Sequence, residues 1–155
     1  MKSNTKLVII ACSLVLFFTA CSKSDDTPPN TPVIALSASL NNINWSTSIA
    51  NASMVYDTVN FRQTLNIGAG YKLPAPDTVF QGLAISLDSF YGIGTYNITK
   101  NGPCKAWFVH DTKQFQAKSG QVTVRSYSIK QVTGEFSFVT DTITISSGQY
   151  NLHVQ

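Results

Sequence analysis

The side chains of this 155-residue sequence that could hold a metal or attack a substrate are few: three cysteines, two histidines and eight carboxylates. His110 adjoins Asp111, but neighbours along an extended strand point to opposite faces, so the two could pair only across a turn or bulge. His153 stands apart, and no H-x-H or H-x-x-x-H spacing sets up a metal site. Serines are numerous, yet none lies in a G-x-S-x-G nucleophile elbow. Glu135 is the single glutamate, and the body of the chain carries no carboxylate pair that would suit glycoside hydrolysis. Gly68-Ala69-Gly70 and Gly92-Ile93-Gly94 look superficially like phosphate loops, but neither opens a predicted helix, so both read as turn or bulge glycines. These patterns call for no catalytic residue, no metal and no cofactor.

Two other groups have a double reading. Cys104 follows Gly102-Pro103 and precedes Lys105. A cation beside a thiol makes it more reactive, whereas a buried thiol is inert. Tyr91, Tyr96, Trp107 and Phe108 fall within one stretch. On a loop rim their rings would form a platform for sugar faces; inside a small sandwich they would be core and strand-edge packing. Charge narrows the partners further. The formal net charge is +3, but Lys2 and Lys6 lie in a leader, leaving nine Lys and Arg against eight Asp and Glu. Such a near-neutral chain has no electrostatic footprint for nucleic acid.

The strongest chemical signal is at the N-terminus. Lys2 and Lys6 precede the apolar run Leu7 to Phe18, and the small residues Thr19 and Ala20 come directly before Cys21. Twelve apolar residues at about 1.5 Å each reach roughly 18 Å, short of a hydrocarbon core of roughly 30 Å, so a removable leader is the better reading than a permanent span. Phe18-Thr19-Ala20-Cys21 resembles the bacterial lipobox, with Phe18 where Leu is usual. The resemblance implies that the Cys21 thiol receives a diacylglyceryl group and that the chain is cut between Ala20 and Cys21. It also implies that two or three acyl chains hold the protein to a membrane, each buried CH₂ contributing about 0.8 kcal/mol. Cys12 leaves with the leader, so Cys104 has no partner in the mature chain and a disulfide framework is excluded.

Residues 21–32 form the acylated cysteine and a tether. The stretch from Ser22 to Pro32 has no apolar side chain and three prolines, and it reaches up to about 34 Å if extended. Ser22 behind the cysteine favours the outer membrane under the usual sorting pattern. Lys23, Asp25 and Asp26 look like the export signal of Bacteroidota surface lipoproteins, which implies display at the cell surface, the periplasmic face being the alternative. Residues 1–20 are thus the leader, and residues 33–155 a single domain.

That domain repeats its apolar residues with period 2. Leu36, Ala38 and Leu40 are followed by Asn41-Asn42, a two-residue hairpin turn, and then by Ile43 and Trp45. Leu65, Ile67, Ala69 and Tyr71 alternate likewise, as do Leu83, Ile85 and Leu87, Val122 and Val124, Phe136 and Phe138, Ile143 and Ile145, and Tyr150, Leu152 and Val154. Pro74 and Pro76, Gly92 and Gly94, Asn101-Gly102-Pro103, Ser119-Gly120, Gly134 and Gly148 read as the turns between them. The expectation is an all-β fold, an antiparallel β-sandwich or barrel-like closure of about 8–10 short strands.

The runs Ser119–Val124, Val132–Phe138 and Ile143–Tyr150 contain Gly134-Glu135-Phe136-Ser137-Phe138 and Gly148-Gln149-Tyr150. With the Leu40–Trp45 hairpin they resemble a broad family of uncharacterised Bacteroidota lipoproteins over most of residues 36–154. Two departures are Ser147 before Gly148 and Tyr150 in place of Phe. The resemblance implies fold and location, and no activity. Asp57-Thr58-Val59, Asp77-Thr78-Val79 and Asp141-Thr142-Ile143 also resemble the Asp-Thr-apolar site of Bacteroidota O-glycosylation, which would modify Thr58, Thr78 and Thr142.

The function expected from these features is a membrane-anchored, non-enzymatic binding or assembly module, partnered by the membrane through Cys21 and by an outer-membrane protein or a glycan. A sandwich or barrel taking a small apolar ligand or a glycan is one alternative. A hydrolase assembled from singly placed residues is the other. An apolar-lined pocket near Trp107 and Phe108 would favour ligand binding, and a histidine bonded to a carboxylate or serine would favour hydrolysis.

Overall fold

The computed structural model describes residues 34–72 and 79–155. Eleven strands follow one another there without a helix: β1 (Leu36–Leu40), β2 (Ile43–Thr47), β3 (Ala50–Asp57), β4 (Arg62–Lys72), β5 (Phe80–Asp88), β6 (Gly94–Thr99), β7 (Cys104–His110), β8 (Lys113–Gln116), β9 (Ser119–Tyr127), β10 (Gln131–Val139) and β11 (Thr144–His153). One antiparallel sheet runs β2-β1-β11-β10-β9-β6 and the other β3-β4-β5-β7-β8. They pack together as a β-sandwich, with no closed barrel. Eleven strands exceed the eight to ten expected, because β3, β6, β7 and β8 were not among the runs read as strands.

The period-2 pattern decides which faces meet. Leu36, Ala38 and Trp45 from β1 and β2, Val122 and Val124 from β9, and Phe136 and Phe138 from β10 point inward. They face Leu65 and Ile67 of β4, Leu83, Ile85 and Leu87 of β5, and Ala106 and Phe108 of β7. Asn41 and Asn42 hold φ values of 48° and 69°, the left-handed pair that a two-residue hairpin turn needs and asparagine tolerates.

Several glycines expected in turns sit inside strands instead. Gly134 is opposite Tyr150 and Gly148 opposite Phe136 across the β10–β11 ladder. A Cβ on Gly134 would meet the Tyr150 ring and the Thr123 carbonyl, and one on Gly148 the Phe136 ring. Each ring thus lies over the glycine facing it, which covers exposed backbone and fills the core without a second bulky side chain. Gly120 lies in β9 against the backbone of Ser137 and Phe138. Gly68 and Gly70 lie in β4, where the Phe80 ring covers Gly70 together with Gly82 of β5. Gly92 is a turn glycine as expected, with φ of 102°.

The two apolar runs near the C-terminus are a single strand, β11. Ile145 is buried, then Gly148, Tyr150 and Leu152, so the inward parity changes between Ile145 and Gly148. Ser147, at φ 51°, is the extra residue that makes this switch, and the ladders to β1 and β10 both shift register there. The chain also crosses directly between sheets. Ala117 N–H donates to Ala106 in one sheet, and Lys118 N–H donates to Val139 in the other. At the β2–β3 junction the buried Thr47 hydroxyl donates to the Gly70 carbonyl at 2.9 Å. Such corners fix one sheet on the other.

Candidate functional site

Across β4, β5 and β7 the inward residues form four parallel rows. Leu65, Leu87 and Cys104 make the first; Ile67, Ile85 and Ala106 the second; Ala69, Leu83 and Phe108 the third. These rows belong to the sandwich core or pack against it. The fourth is Tyr71, Gln81 and His110, two rings flanking an amide, and it runs out toward solvent. The His110 ring also stacks along β7 on Phe108, centroids 6.4 Å apart.

Opposite this row stands β2, an edge strand paired only with β1. Between them lies a cleft of about 570 Å³, within the usual range of small-molecule sites. Trp45, Ile43 and Leu40 supply its apolar wall on the β1–β2 side, and Asn41, Asn44, Ser46 and Ile143 complete that side. That wall is held in place locally. Asn41 N–H donates to the Thr144 carbonyl at 2.9 Å, and its side-chain oxygen accepts from Thr144 N–H at 2.8 Å. Thr140 Oγ1 accepts from Ile143 N–H at 2.9 Å, fixing the turn that presents Ile143.

Trp45 is only 7% exposed, and its Nε1–H is buried with no acceptor among the described residues. Buried indole N–H groups normally find a partner, and leaving one unmade costs about 1–3 kcal/mol. Among the described residues, no lysine, arginine or carboxylate lines the cleft. The two ion pairs among the described residues, Lys118–Asp141 and Arg125–Glu135, involve none of its lining residues.

The four aromatics expected to form a rim do not converge. Tyr96 of β6 is 4% exposed and Phe108 of β7 is 2% exposed, both facing the core from different sheets. Tyr96 is held there by its hydroxyl, which donates to the Gly92 carbonyl at 2.7 Å and accepts from Tyr91 N–H at 3.1 Å. Tyr91, 70% exposed, packs its ring on Tyr96 at 4.6 Å. Trp107 has the opposite strand parity to Phe108 and lies half-buried on the outer face. Only Phe108 contributes to the cleft.

Cys104 is buried in the first row, and Lys105, its strand neighbour, has the outward parity. Burial pushes the Cys104 thiol up, and the Asp88 carboxylate adds to the effect, so no cation activates it. His110 makes no side-chain hydrogen bond to a carboxylate or serine among the described residues, although Asp111 begins a turn at φ 54°. His153 Nδ1 lies 3.3 Å from the Lys130 carbonyl. No cluster of three or more His, Cys, Asp or Glu residues occurs among the described residues. Thr58 lies in the exposed β3–β4 turn, where the Asp57 carboxylate accepts from Val59 N–H at 2.9 Å and from the Asn60 side chain at 2.7 Å. Thr142 is exposed in the β10–β11 turn, its N–H donating to Thr140 Oγ1 at 3.2 Å. Ala20, Cys21, Lys23, Asp25, Asp26 and Thr78 lie outside the described residues.

Sequence reasoning passed over Trp45, Tyr71 and Gln81 as site residues. Trp45 and Tyr71 carried only the signal of an inward strand position, and Gln81 carried none. Their meeting depends on the register of β4 against β5 and β5 against β7, set across connections that the sequence does not measure. Compared with family models, with curated proteins and with solved structures, the chain gives no match.

Proposed function

We propose that this chain is an exported lipoprotein, anchored through Cys21, whose β-sandwich is a non-enzymatic binding module with the β2–β4–β5–β7 cleft as its ligand site. The observation that carries the binding role is the fourth row, Tyr71, Gln81 and His110, lining a cleft whose other wall is Leu40, Ile43 and Trp45. A preformed concave site with ring faces and a few polar groups is the usual form of a small-ligand site. The hydrolase alternative finds less support, because among the described residues His110 hydrogen-bonds neither a base to orient it nor a nucleophile to activate.

Support for the anchor comes from the sequence alone: the short apolar run, Thr19-Ala20 before Cys21, and a proline-rich tether behind it. The same tether, through Lys23, Asp25 and Asp26, supports display on the outer face of the outer membrane, as in the Bacteroidota lipoproteins it resembles. Replacing Cys21 by Ser tests the anchor. The protein should lose metabolic labelling with palmitate and leave the membrane fraction; retention with undiminished labelling overturns the proposal. Replacing both Asp25 and Asp26 by Ala should protect the chain from protease added to intact cells. Unchanged cleavage sinks the export-signal reading.

A further inference from the structure

We infer that one end of the sandwich is a bilayer-docking surface, where the apolar tips of three turns enter the headgroup region of the membrane that holds the Cys21 lipid. The inference rests on the Cys21 anchor and adds to it a second, non-covalent contact. Val59 and Ile129 are 81% exposed, Phe61 79%, Tyr91 70% and Ile93 65%. Among the described residues, only Ile43 and Ile49 are large apolar side chains as open as these. The five stand on three connections: Val59 and Phe61 between β3 and β4, Tyr91 and Ile93 between β5 and β6, and Ile129 between β9 and β10. The sheets bring those connections to one end. Phe90 N–H donates to the Gln63 carbonyl at 2.7 Å, which sets the β5–β6 connection beside the start of β4. The Phe90 ring packs edge-on against Tyr127 at the end of β9, centroids 5.0 Å apart.

Each tip is fastened from behind. Asp57 accepts from Val59 and Asn60 N–H at the first turn, the Tyr96 hydroxyl binds the backbone of Tyr91 and Gly92 at the second, and Ser128 Oγ accepts from Gln131 N–H at the third. Phe61 holds a φ of 54°, strained for so bulky a residue, and such strain gathers at functional segments. The chain's own connectivity selects a bilayer as the occupant. The Ala35 carbonyl accepts from Asn151 N–H, and the Asn151 side chain accepts from Gln131 at the start of β10. The chain from Cys21 therefore enters the domain on β1, separated from β10 by β11 alone, about 10 Å from the β9–β10 turn. A tether reaching up to about 34 Å keeps this end close to the bilayer at high effective concentration. Exposed Arg62 and Lys130 border the tips with cations suited to lipid phosphates. Tyr71 lies about 30 Å along β4 from Arg62, so the cleft is at the far end of that strand from the docked turn.

The test uses the whole mature chain carrying Cys21→Ser, so that acyl chains do not mask the turns. It is floated with vesicles of equal parts phosphatidylcholine and phosphatidylglycerol, at lipid on the order of millimolar to match the tether's effective concentration. The expected result is binding that falls at least about tenfold when Val59→Ser, Phe61→Asn and Ile129→Ser are combined. Combining Ile43→Ser with Ile49→Ser, equally exposed but elsewhere, should change it less than about twofold. Asparagine tolerates the φ of Phe61, and thermal melts would show that both variants are folded. No binding by the Cys21→Ser chain, or equal loss in the two variants, overturns the inference. A dimer that the triple variant abolishes, in place of vesicle binding, makes the face a contact between copies and also overturns it. So does a glycan on Thr58 of the native protein, which would stand between Val59 and a bilayer. Mass spectrometry of the native chain reads the anchor separately. Unacylated Cys21 with turn-dependent vesicle binding overturns the anchor and leaves the docking surface; acylated Cys21 without that binding does the reverse.

Discussion

Trp45→Phe separates the orphan donor from the packing around it. In the free protein the indole N–H is buried with no acceptor among the described residues, a burden of about 1–3 kcal/mol that phenylalanine removes. Against this, the phenyl ring gives up the two carbons of the pyrrole edge, about 1.6 kcal/mol of burial at about 0.8 kcal/mol per carbon, plus a small cavity term. Trp45 touches the cleft on one side, so part of that cavity opens to solvent and its cost is limited. The two effects nearly cancel, and the variant should lie within about 1 kcal/mol of the parent. Trp45→Ala, which relieves the same donor but empties the whole site, should lose about 3 kcal/mol or more. Urea unfolding followed by far-ultraviolet circular dichroism measures both, with an unchanged m-value as the condition for comparing midpoints. A loss above about 2.5 kcal/mol in Trp45→Phe would refute the reasoning, because it would mean that the N–H already has a partner in the free protein.

Two further outcomes follow from the packing. Gly134→Ala should destabilise by at least about 2 kcal/mol, since the new Cβ would meet the Thr123 carbonyl as well as the Tyr150 ring, and the carbonyl cannot retreat without distorting the sheet; a loss under about 0.5 kcal/mol in denaturant titration contradicts it. Burial also pushes the Tyr96 and Tyr150 phenols above their ordinary value of 10.0. Below that value folded and unfolded chains both keep the protons. Above it the unfolded chain releases them first, so stability must fall as pH rises past 10. Phenolate absorbance should therefore rise in two stages, the second coinciding with loss of the circular dichroism signal. One stage for all six tyrosines with the fold intact would count against it.

The fold was legible where one face is plainly apolar and the other polar. Leu36-Ser37-Ala38-Ser39-Leu40, with the Asn41-Asn42 turn and Trp45 beyond it, announces β1 and β2 outright, and β4, β5, β9 and β10 follow the same rule. β7 escaped because both of its faces carry apolar residues: Ala106 and Phe108 inward, Trp107 and Val109 outward. β3 escaped for the opposite reason, since Ala52 is its one deeply buried side chain. Gly134 and Gly148 were misplaced into turns because glycine usually breaks strands; here facing aromatics on the neighbouring strand cover them. Ser147, an irregularity in the sequence motif, is the bulge that lets one strand present Ile145 and Tyr150 to the same core.

The cleft has a simple origin in unequal strand lengths. β4 runs for eleven residues and β5 for nine, whereas β1 and β2, the strands facing their ends, have five each. Three rows of β4, β5 and β7 find an apolar partner in the opposing sheet, and the fourth extends past the depth that β1 and β2 can cover. A sequence selected only for packing would end those strands or make the last row fully polar. Tyr71, Gln81 and His110 do neither: they combine ring faces with hydrogen-bonding groups where the second sheet gives out. On the proposed reading, that combination offers a ligand ring faces and hydrogen-bonding groups together, which the better-packed interior does not.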